Sequence, residues 1–186
     1  MPAAKRHSYR QGDGTVAHFE IPTLRTRRLV LRAFTLADWD AFAALNADAG
    51  FRRFLGDGRV WSRDESWAQM ERILGQWALL GHGFLAVEHA GQFAGRVGVL
   101  RPAGWPEPEL AWGIAPAFAG QGLAVEAAAS VRDWAFAAHG LPELASFIAP
   151  ANTRSARVAE KLGAVRAGTV TVIGKTVDRW VHRRAA

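Results

Sequence analysis

The chain has 186 residues, 49% of them apolar, with eight tryptophans, ten phenylalanines and no cysteine. That length suits one domain with an ample core, and the missing cysteines exclude a disulfide framework, a thiolate metal site and a cysteine nucleophile. The net charge of +6 and pI near 10.9 invite a nucleic-acid reading, but the charge is unevenly placed. Seven basic residues fall in 1–32 (Lys5, Arg6, Arg10, Arg25, Arg27, Arg28, Arg32) against Asp13 and Glu20, leaving 16 basic and 15 acidic residues in the remaining 154. A nearly neutral body argues against a DNA-reading face. The six histidines show no ligand spacing, so no metal is expected. No apolar run approaches the roughly 20 residues of a membrane span, and no apolar stretch follows the basic N-terminal residues as in a signal peptide. These features lead to the expectation of a cytoplasmic protein that engages neither DNA nor membrane.

Residues 1–20 mix Lys, Arg, Gln, Gly and His without a sustained period and read as a basic, flexible arm. A single domain is expected from Ile21 to Ala186. Leu29-Val30-Leu31-Arg32 reads as a strand. Thr35 with Asp38 opens a helix carrying Trp39, Phe42 and Leu45 on one face. Ser62 with Glu65 opens a second helix, whose Trp67, Met70, Ile73, Leu74 and Trp77 recur at helical spacing until Gly81. The loop between them, Phe51 to Trp61, gathers aromatics, glycines and Arg52, Arg53 and Arg59. It reads as a packed connector, or as the wall of a binding site for an anionic acceptor.

Phe84–Glu88 and Gln92–Leu100 form a hairpin around Ala90-Gly91, and Glu109–Ile114 makes the next strand. Gly113 within that strand marks a bulge or a close approach by another group. Pro116 ends the segment, and Ala119-Gly120-Gln121-Gly122-Leu123-Ala124 turns into an Ala-rich helix reaching about His139. Bare main chain at a helix start gathers N–H groups without intrahelical partners, next to the positive end of the helix dipole. A diphosphate suits that mouth. Leu144–Ile148 is a strand; Asn152 to Leu162 is a short helix followed by Gly163; two strands, Ala164–Val172 and Lys175–His182, complete the chain. The fold class is therefore α/β in the α+β sense, a mixed and mostly antiparallel central sheet with one parallel crossover, flanked by about four helices. A Rossmann-type binder fits poorly, because the glycine turn follows antiparallel strands instead of opening a leading βαβ unit.

Three segments in order resemble the GNAT superfamily of N-acetyltransferases. Pro116 to Ala127 looks like that family's acetyl-CoA loop, and Asn152 to Ala164 like its following helix. Leu24-Arg25-Thr26-Arg27-Arg28-Leu29-Val30-Leu31-Arg32 is similar to the start of the RimJ/RimL-like branch, which acetylates N-termini of ribosomal proteins. The resemblance implies direct attack of a primary amine, a peptide N-terminus or a small molecule, on acetyl-CoA in a ternary complex. It implies that main-chain groups of Trp112, Gly113 and Ile114 hold the pantetheine arm and polarise the thioester. Amides of Ala119, Gly120, Gln121, Gly122, Leu123 and Ala124 would hold the pyrophosphate, Asn152 the pantetheine amides, and Arg157 the nucleotide end. Ser155 would bond the cofactor sulfur or protonate the departing thiolate. Glu109 is the expected base, with Glu107 and Glu88 as competitors. The only tyrosine, Tyr9, lies in the arm, which removes a tyrosine general acid. A homodimer through exchange of the last hairpin stays open. So does a non-catalytic alternative, an acyl-CoA sensor or a ribosome- or RNA-associated factor.

Overall fold

Strand and helix boundaries follow the punctuation residues closely in the computed structural model, which describes residues 5–10 and 16–184. The strands are β1 (Lys5–Arg10), β2 (Val16–Ile21), β3 (Leu24–Arg25), β4 (Leu29–Arg32), β5 (Phe84–His89), β6 (Gln92–Leu100), β7 (Glu109–Ile114), β8 (Glu143–Ile148), β9 (Val165–Val172) and β10 (Lys175–Arg183). The helices are α1 (Trp39–Ala47), α2 (Ala49–Arg52), α3 (Arg63–Leu80), α4 (Leu123–His139) and α5 (Thr153–Lys161). The main sheet runs in the order β3-β4-β5-β6-β7-β8-β10-β9. Among the described residues only β7 and β8 pair in parallel, joined by the α4 crossover, as the sequence leads one to expect. The helix beyond the expected four is α2, a single turn inside the aromatic loop.

Helix ends obey local chemistry. Ser62 and Glu65 exchange side-chain to backbone bonds at the start of α3, and Gly81 ends it with φ +69°. At the start of α1 the Asp38 carboxylate accepts the Thr35 N–H (2.8 Å) and is gripped by Arg32, which also holds Glu88. On one face of the sheet Phe42 of α1 meets Phe34 and Phe93 in edge contacts. Through Leu123, Ala127, Ala128 and Val131, α4 packs across β6 and β7. Small residues let it lie close, and their burial supplies the hydrophobic stabilisation of the crossover.

The N-terminal segment departs from expectation. Where no period pointed to strands, β1 and β2 pair antiparallel as a separate two-stranded sheet, from Lys5↔Ile21 to Arg10↔Val16. Phe19 packs against the main core and Ile21 is buried in it. A two-residue alternation in so polar a stretch leaves little hydropathy contrast to read.

At the centre, β7 and β8 meet in register only at Glu109↔Ala145. There the Ser146 hydroxyl donates to the Leu110 carbonyl (2.6 Å), and His182 Nε2 lies 2.9 Å from the same oxygen. Because that hydroxyl proton is committed to Leu110, the His182 Nε2–H is the donor to the Ser146 oxygen in the second bond. Burial pushes the His182 pKa down to about 4. Below pH 6.5 the unfolded chain takes up a proton that folded His182 refuses. Stability on this account is complete above pH 6.5 and falls as the pH drops towards 4. Urea unfolding at pH 7, 5.5 and 4.5 should show a decline that is shallower in His182→Gln, with a loss of about 1–3 kcal/mol in that variant at pH 7 from the broken bond.

Candidate functional site

Beyond Glu109 the two parallel strands part, and the wedge between them becomes the floor of a cleft of about 940 Å³. Its main-chain wall follows from sheet geometry. The Ala115 N–H donates to Ala94 O across β6 (2.8 Å). Alternation then turns Gly113, Ala111 and Glu109 towards β6, and Leu110, Trp112 and Ile114 towards β8. Leu110 O is taken by Ser146, while Trp112 and Ile114 face the wedge where no strand pairs with them. Gly113 has its own reason to lack a side chain: a Cβ there would lie 2.8 Å from the Phe51 ring. The close approach inferred from its position comes from α2. The bulge belongs instead to β5 and β6, where the register shifts between Val87 and Glu88.

At the wide end of the wedge, Pro116–Phe118 forms a 3-10 turn closed by the Ala119 N–H on Pro116 O (3.1 Å). Gly120 (φ +79°) and Gly122 (φ +77°) follow in left-handed conformations that glycine adopts freely. The first helical bond of α4 is Glu126 N–H to Gly122 O. From Gly120 to Val125 the amides donate to no acceptor among the described residues. The mouth is therefore open, with Gly120, Gly122, Ala124 and Val125 on the cleft surface. Ala119 also lines it but spends its amide internally. Gln121 and Leu123 are not among the residues lining the cleft; the Gln121 carbonyl is held by Arg28 and the Leu123 side chain lies in the core.

A brace holds this turn. Arg28 donates from its backbone and Nε to the two oxygens of Glu126 (2.9 and 2.7 Å) and from Nη1 to Gln121 O (2.9 Å). Thr26 Oγ1 donates to the same carboxylate (2.6 Å). Burial opposes the charge on Glu126, and these donors outweigh it, leaving its pKa lowered. The Thr26-x-Arg28 stretch thus serves the glycine turn nearly a hundred residues away, a role invisible to local periodicity.

On the far side, the Asn152 side chain accepts the Ser155 N–H (3.3 Å) at the head of α5, and both residues border the cleft. Arg154, Arg157 and Lys161 border it as well, exposed and without carboxylate partners among the described residues. Their recurrence at three and seven residues was the available signal for the two that sequence reasoning passed over, Arg154 and Lys161.

The aromatic loop proves to be a wall: Phe51, Arg53, Phe54 and Leu55 line the cleft. Of its three arginines only Arg53 does so. Arg52 is buried, stacked over Trp61 (3.9 Å) and bonded to Arg59 O, and Arg59 pairs with Glu65 and Asp57. Those two shape the loop, which corrects the expectation that all three flank an acceptor.

The three carboxylates separate cleanly. Glu88 is bound by Arg32 (2.8 Å), and Glu107 is held by two nitrogens of Arg179. Glu109 has no arginine in contact; Trp105 Nε1 donates to it (2.7 Å), and desolvation pushes its pKa up to about 7. By surface area it is only half-buried, but dense packing around the carboxylate sustains the shift. It stands at the closed end of the wedge and does not line the cleft, whereas Ser155 does.

Residues 28–165 match the Acetyltransferase (GNAT) domain family, about three quarters of the chain. The chain belongs to that family. It is accordingly an acetyl-CoA-dependent acetyltransferase. An uncharacterized N-acetyltransferase, YnaD of Bacillus subtilis, is 26% identical over 145 residues, covering 78% of this chain and 84% of its own. A crystal structure of an acetyltransferase from Agrobacterium tumefaciens is 33% identical with a TM-score of 0.79, covering 90% of this chain and 98% of that one. More distant likenesses show the fold alone. A RimL ribosomal L7/L12 α-N-protein acetyltransferase (14% identical, TM-score 0.73, 87% of this chain and 98% of that one) stands beside an aminoglycoside acetyltransferase (18%, 0.72, 84% and 95%), each in complex with coenzyme A. As fold neighbours the two are equally near, so the RimJ/RimL-like branch is not singled out.

If the Arg28 brace sets the GNAT turn, Arg28→Ala should weaken coenzyme A binding by about five- to thirty-fold, equivalent to one or two lost hydrogen bonds. Isothermal titration calorimetry on the folded variant reads this directly.

Proposed function

We propose that the protein moves an acetyl group from acetyl-CoA to a primary amine of the α-amine or small-molecule kind, by direct attack in a ternary complex. The observation that carries this reading is the row of unpaired amides from Gly120 to Val125 at the mouth of a wedge that closes on Glu109. The pyrophosphate sits on those amides, where the α4 dipole adds to them. The pantetheine arm runs down the wedge along the free main-chain groups of Trp112 and Ile114, with Asn152 opposite. Arg154, Arg157 and Lys161 take the phosphorylated nucleotide end. This order points the thioester towards Glu109.

In the reaction the amine nitrogen bonds to the thioester carbon, an unpaired amide of β7 stabilises the oxyanion, and the carbon–sulfur bond breaks. The sulfur leaves as a thiolate, or as a thiol with Ser155 near it; a thiol pKa near 8.5 makes a strong acid unnecessary. The surplus amine proton passes to Glu109. Four residues separate Glu109 from Gly113, about 13 Å along the strand, so the transfer runs through water. A base with pKa about 7 is well matched to an α-amine near 8. Lysine, near 10.4, is neutral in only about four molecules per ten thousand at pH 7, which costs over about 3 kcal/mol more.

The motif from Leu24 to Arg32 supports the RimJ/RimL-like branch less than its sequence suggests, because Thr26 and Arg28 brace the cofactor turn and touch nothing on the acceptor side.

The decisive assay follows thiol release from acetyl-CoA with a panel of primary amines. Turnover should rise with pH through about 7, and Glu109→Gln should lose about a hundredfold in kcat/KM along with that rise. Tight coenzyme A binding with no turnover on any amine would instead support a sensor. Folding gives an independent check. The raised pKa of Glu109 means that its neutral form stabilises the protein below pH 4.5 and that this is lost as pH climbs through 7. Glu109→Gln should therefore unfold no earlier than wild type at pH 8.

Gly120→Asp, which sets a carboxylate at the mouth with open space around its Cβ, should weaken coenzyme A binding at least tenfold by calorimetry. Unchanged affinity would remove the amides as the pyrophosphate site.

A further inference from the structure

Among the arginines removed from bulk solvent, Arg96 is the exception. Arg28, Arg32 and Arg179 are held by carboxylates, and buried Arg52 is bonded to a carbonyl. Arg96 is only 7% exposed and makes no hydrogen bond or ion pair among the described residues. Its guanidinium lies between three rings, 4.5 Å from the centre of Phe84, 5.7 Å from Phe42 and 5.8 Å from Phe51. None of its nitrogens is sealed from solvent, since no Arg96 atom is among the fully buried polar atoms lacking a partner. Burial lowers its pKa to about 10, with the charge of Arg52 acting in the same direction, so it is still a cation at neutral pH. Ring faces attract a cation but offer it no acceptor. With no protein acceptor in reach, its donors are left to water or to an anion that displaces it.

Its position says what that is. Arg96 on β6 lies directly across from Gly113, so it shares the sheet face of Gly113, Ala111 and Glu109. Phe51, which lines the cleft, sets its ring against Gly113 with its centre 5.8 Å from the Arg96 guanidinium. Glu109 feels the Arg96 charge yet is not in ion-pair contact with it. One face therefore presents a carboxylate at the closed end of the wedge and, apart from it, a cation with free donors. An acceptor whose amine sits at the thioester beside Gly113, linked to Glu109 through water, would set a carboxylate within reach of Arg96 across from it.

We propose that Arg96 binds the carboxylate of the acceptor, and that the acceptor is a small amine of the amino-acid class. This rests on the acetyltransferase reading of the same site and narrows it. The depth of the guanidinium favours a free small molecule over a peptide chain, and its planar donor fork suits a carboxylate. Arg96 is here a specificity determinant; it takes no part in the transfer of the acetyl group.

The test compares glycine, alanine and serine, whose α-amines titrate below the lysine range, with their carboxamides as acceptors, in wild type, Arg96→Lys and Arg96→Met. The quantity read is the carboxylate-to-carboxamide ratio of kcat/KM, compared between enzymes so that differences in amine pKa cancel. The ratio for the best pair should fall at least tenfold in Arg96→Met and less in Arg96→Lys, with coenzyme A affinity unchanged and carboxamide turnover reduced less than carboxylate turnover. The preferred carboxylate should also raise the Tm of the wild-type coenzyme A complex but not that of Arg96→Met. If Arg96→Met does not fold, Arg96→Lys alone carries the comparison. A ratio indifferent to residue 96 overturns the proposal and leaves the transferase standing. An equal loss on all acceptors, accompanied by a lower Tm, makes Arg96 a packing residue and overturns it too. Absence of turnover with every amine, despite coenzyme A binding, sinks both.

Discussion

Two neighbouring parallel strands that touch at one point are the constraint on which the site depends. A sheet normally satisfies its main-chain groups by pairing along the whole strand, and leaving an interior edge unpaired is costly. Here β7 and β8 pair at Glu109↔Ala145, and a side chain then takes over from the ladder, Ser146 bonding Leu110 O. His182 locks that hydroxyl from β10. The pin lets the strands diverge without leaving Leu110 unsatisfied, and it confines the unsatisfied groups to Trp112 and Ile114, which face open space.

The same divergence explains why the glycine turn sits where it does. A right-handed crossover must leave β7 at its carboxyl end, so α4 begins at the wide mouth of the wedge with its N-terminus turned inwards. The turn needs two left-handed residues in close succession, and Gly120 and Gly122 supply them. A bare turn is pliable, however, and its amides bind an anion well only when held in place. Arg28 and Glu126 provide that support. Their ion pair is partly exposed and by itself of modest worth. Combined with the Thr26 bond and the Gln121 carbonyl, it ties the turn to the β3–β4 connection.

Much of this was legible in the sequence, for reasons that particular residues make plain. Ser62 with Glu65, Gly81, Pro116 and Gly163 mark ends by local chemistry, so α3, β7 and α5 were bounded almost to the residue. Gly120 and Gly122 mark the mouth in the same local way. What was not legible depends on contacts between distant segments. Nothing around Arg28 reveals that its partner is Glu126, and nothing in Ser146 or His182 reveals the pin. Arg52, Arg53 and Arg59 look alike in sequence, yet one is buried, one lines the cleft and one is paired, because the α2 turn aims them differently. The hairpin of β1 and β2 escaped because its residues carry too little hydropathy contrast to betray a period of two.

The charge follows the same division. The excess of positive residues, read from composition, suggested a nucleic-acid partner, but the positive field that matters is local. It comes from the α4 N-terminus and from three side chains on one stripe of α5, at the end of the cleft where phosphates would lie. At the other end the wedge closes on a carboxylate whose neighbours have been stripped of competing roles. Glu88 and Glu107 are held in ion pairs by Arg32 and Arg179. Glu109 is left without an ion pair, and desolvation outweighs the Trp105 indole, the Phe147 amide and the Arg96 charge to place its pKa where a base is useful. Its place in the chain, at the first position of the strand that would carry the thioester, couples the two requirements. The residue that closes the wedge is also the one whose burial the closure ensures.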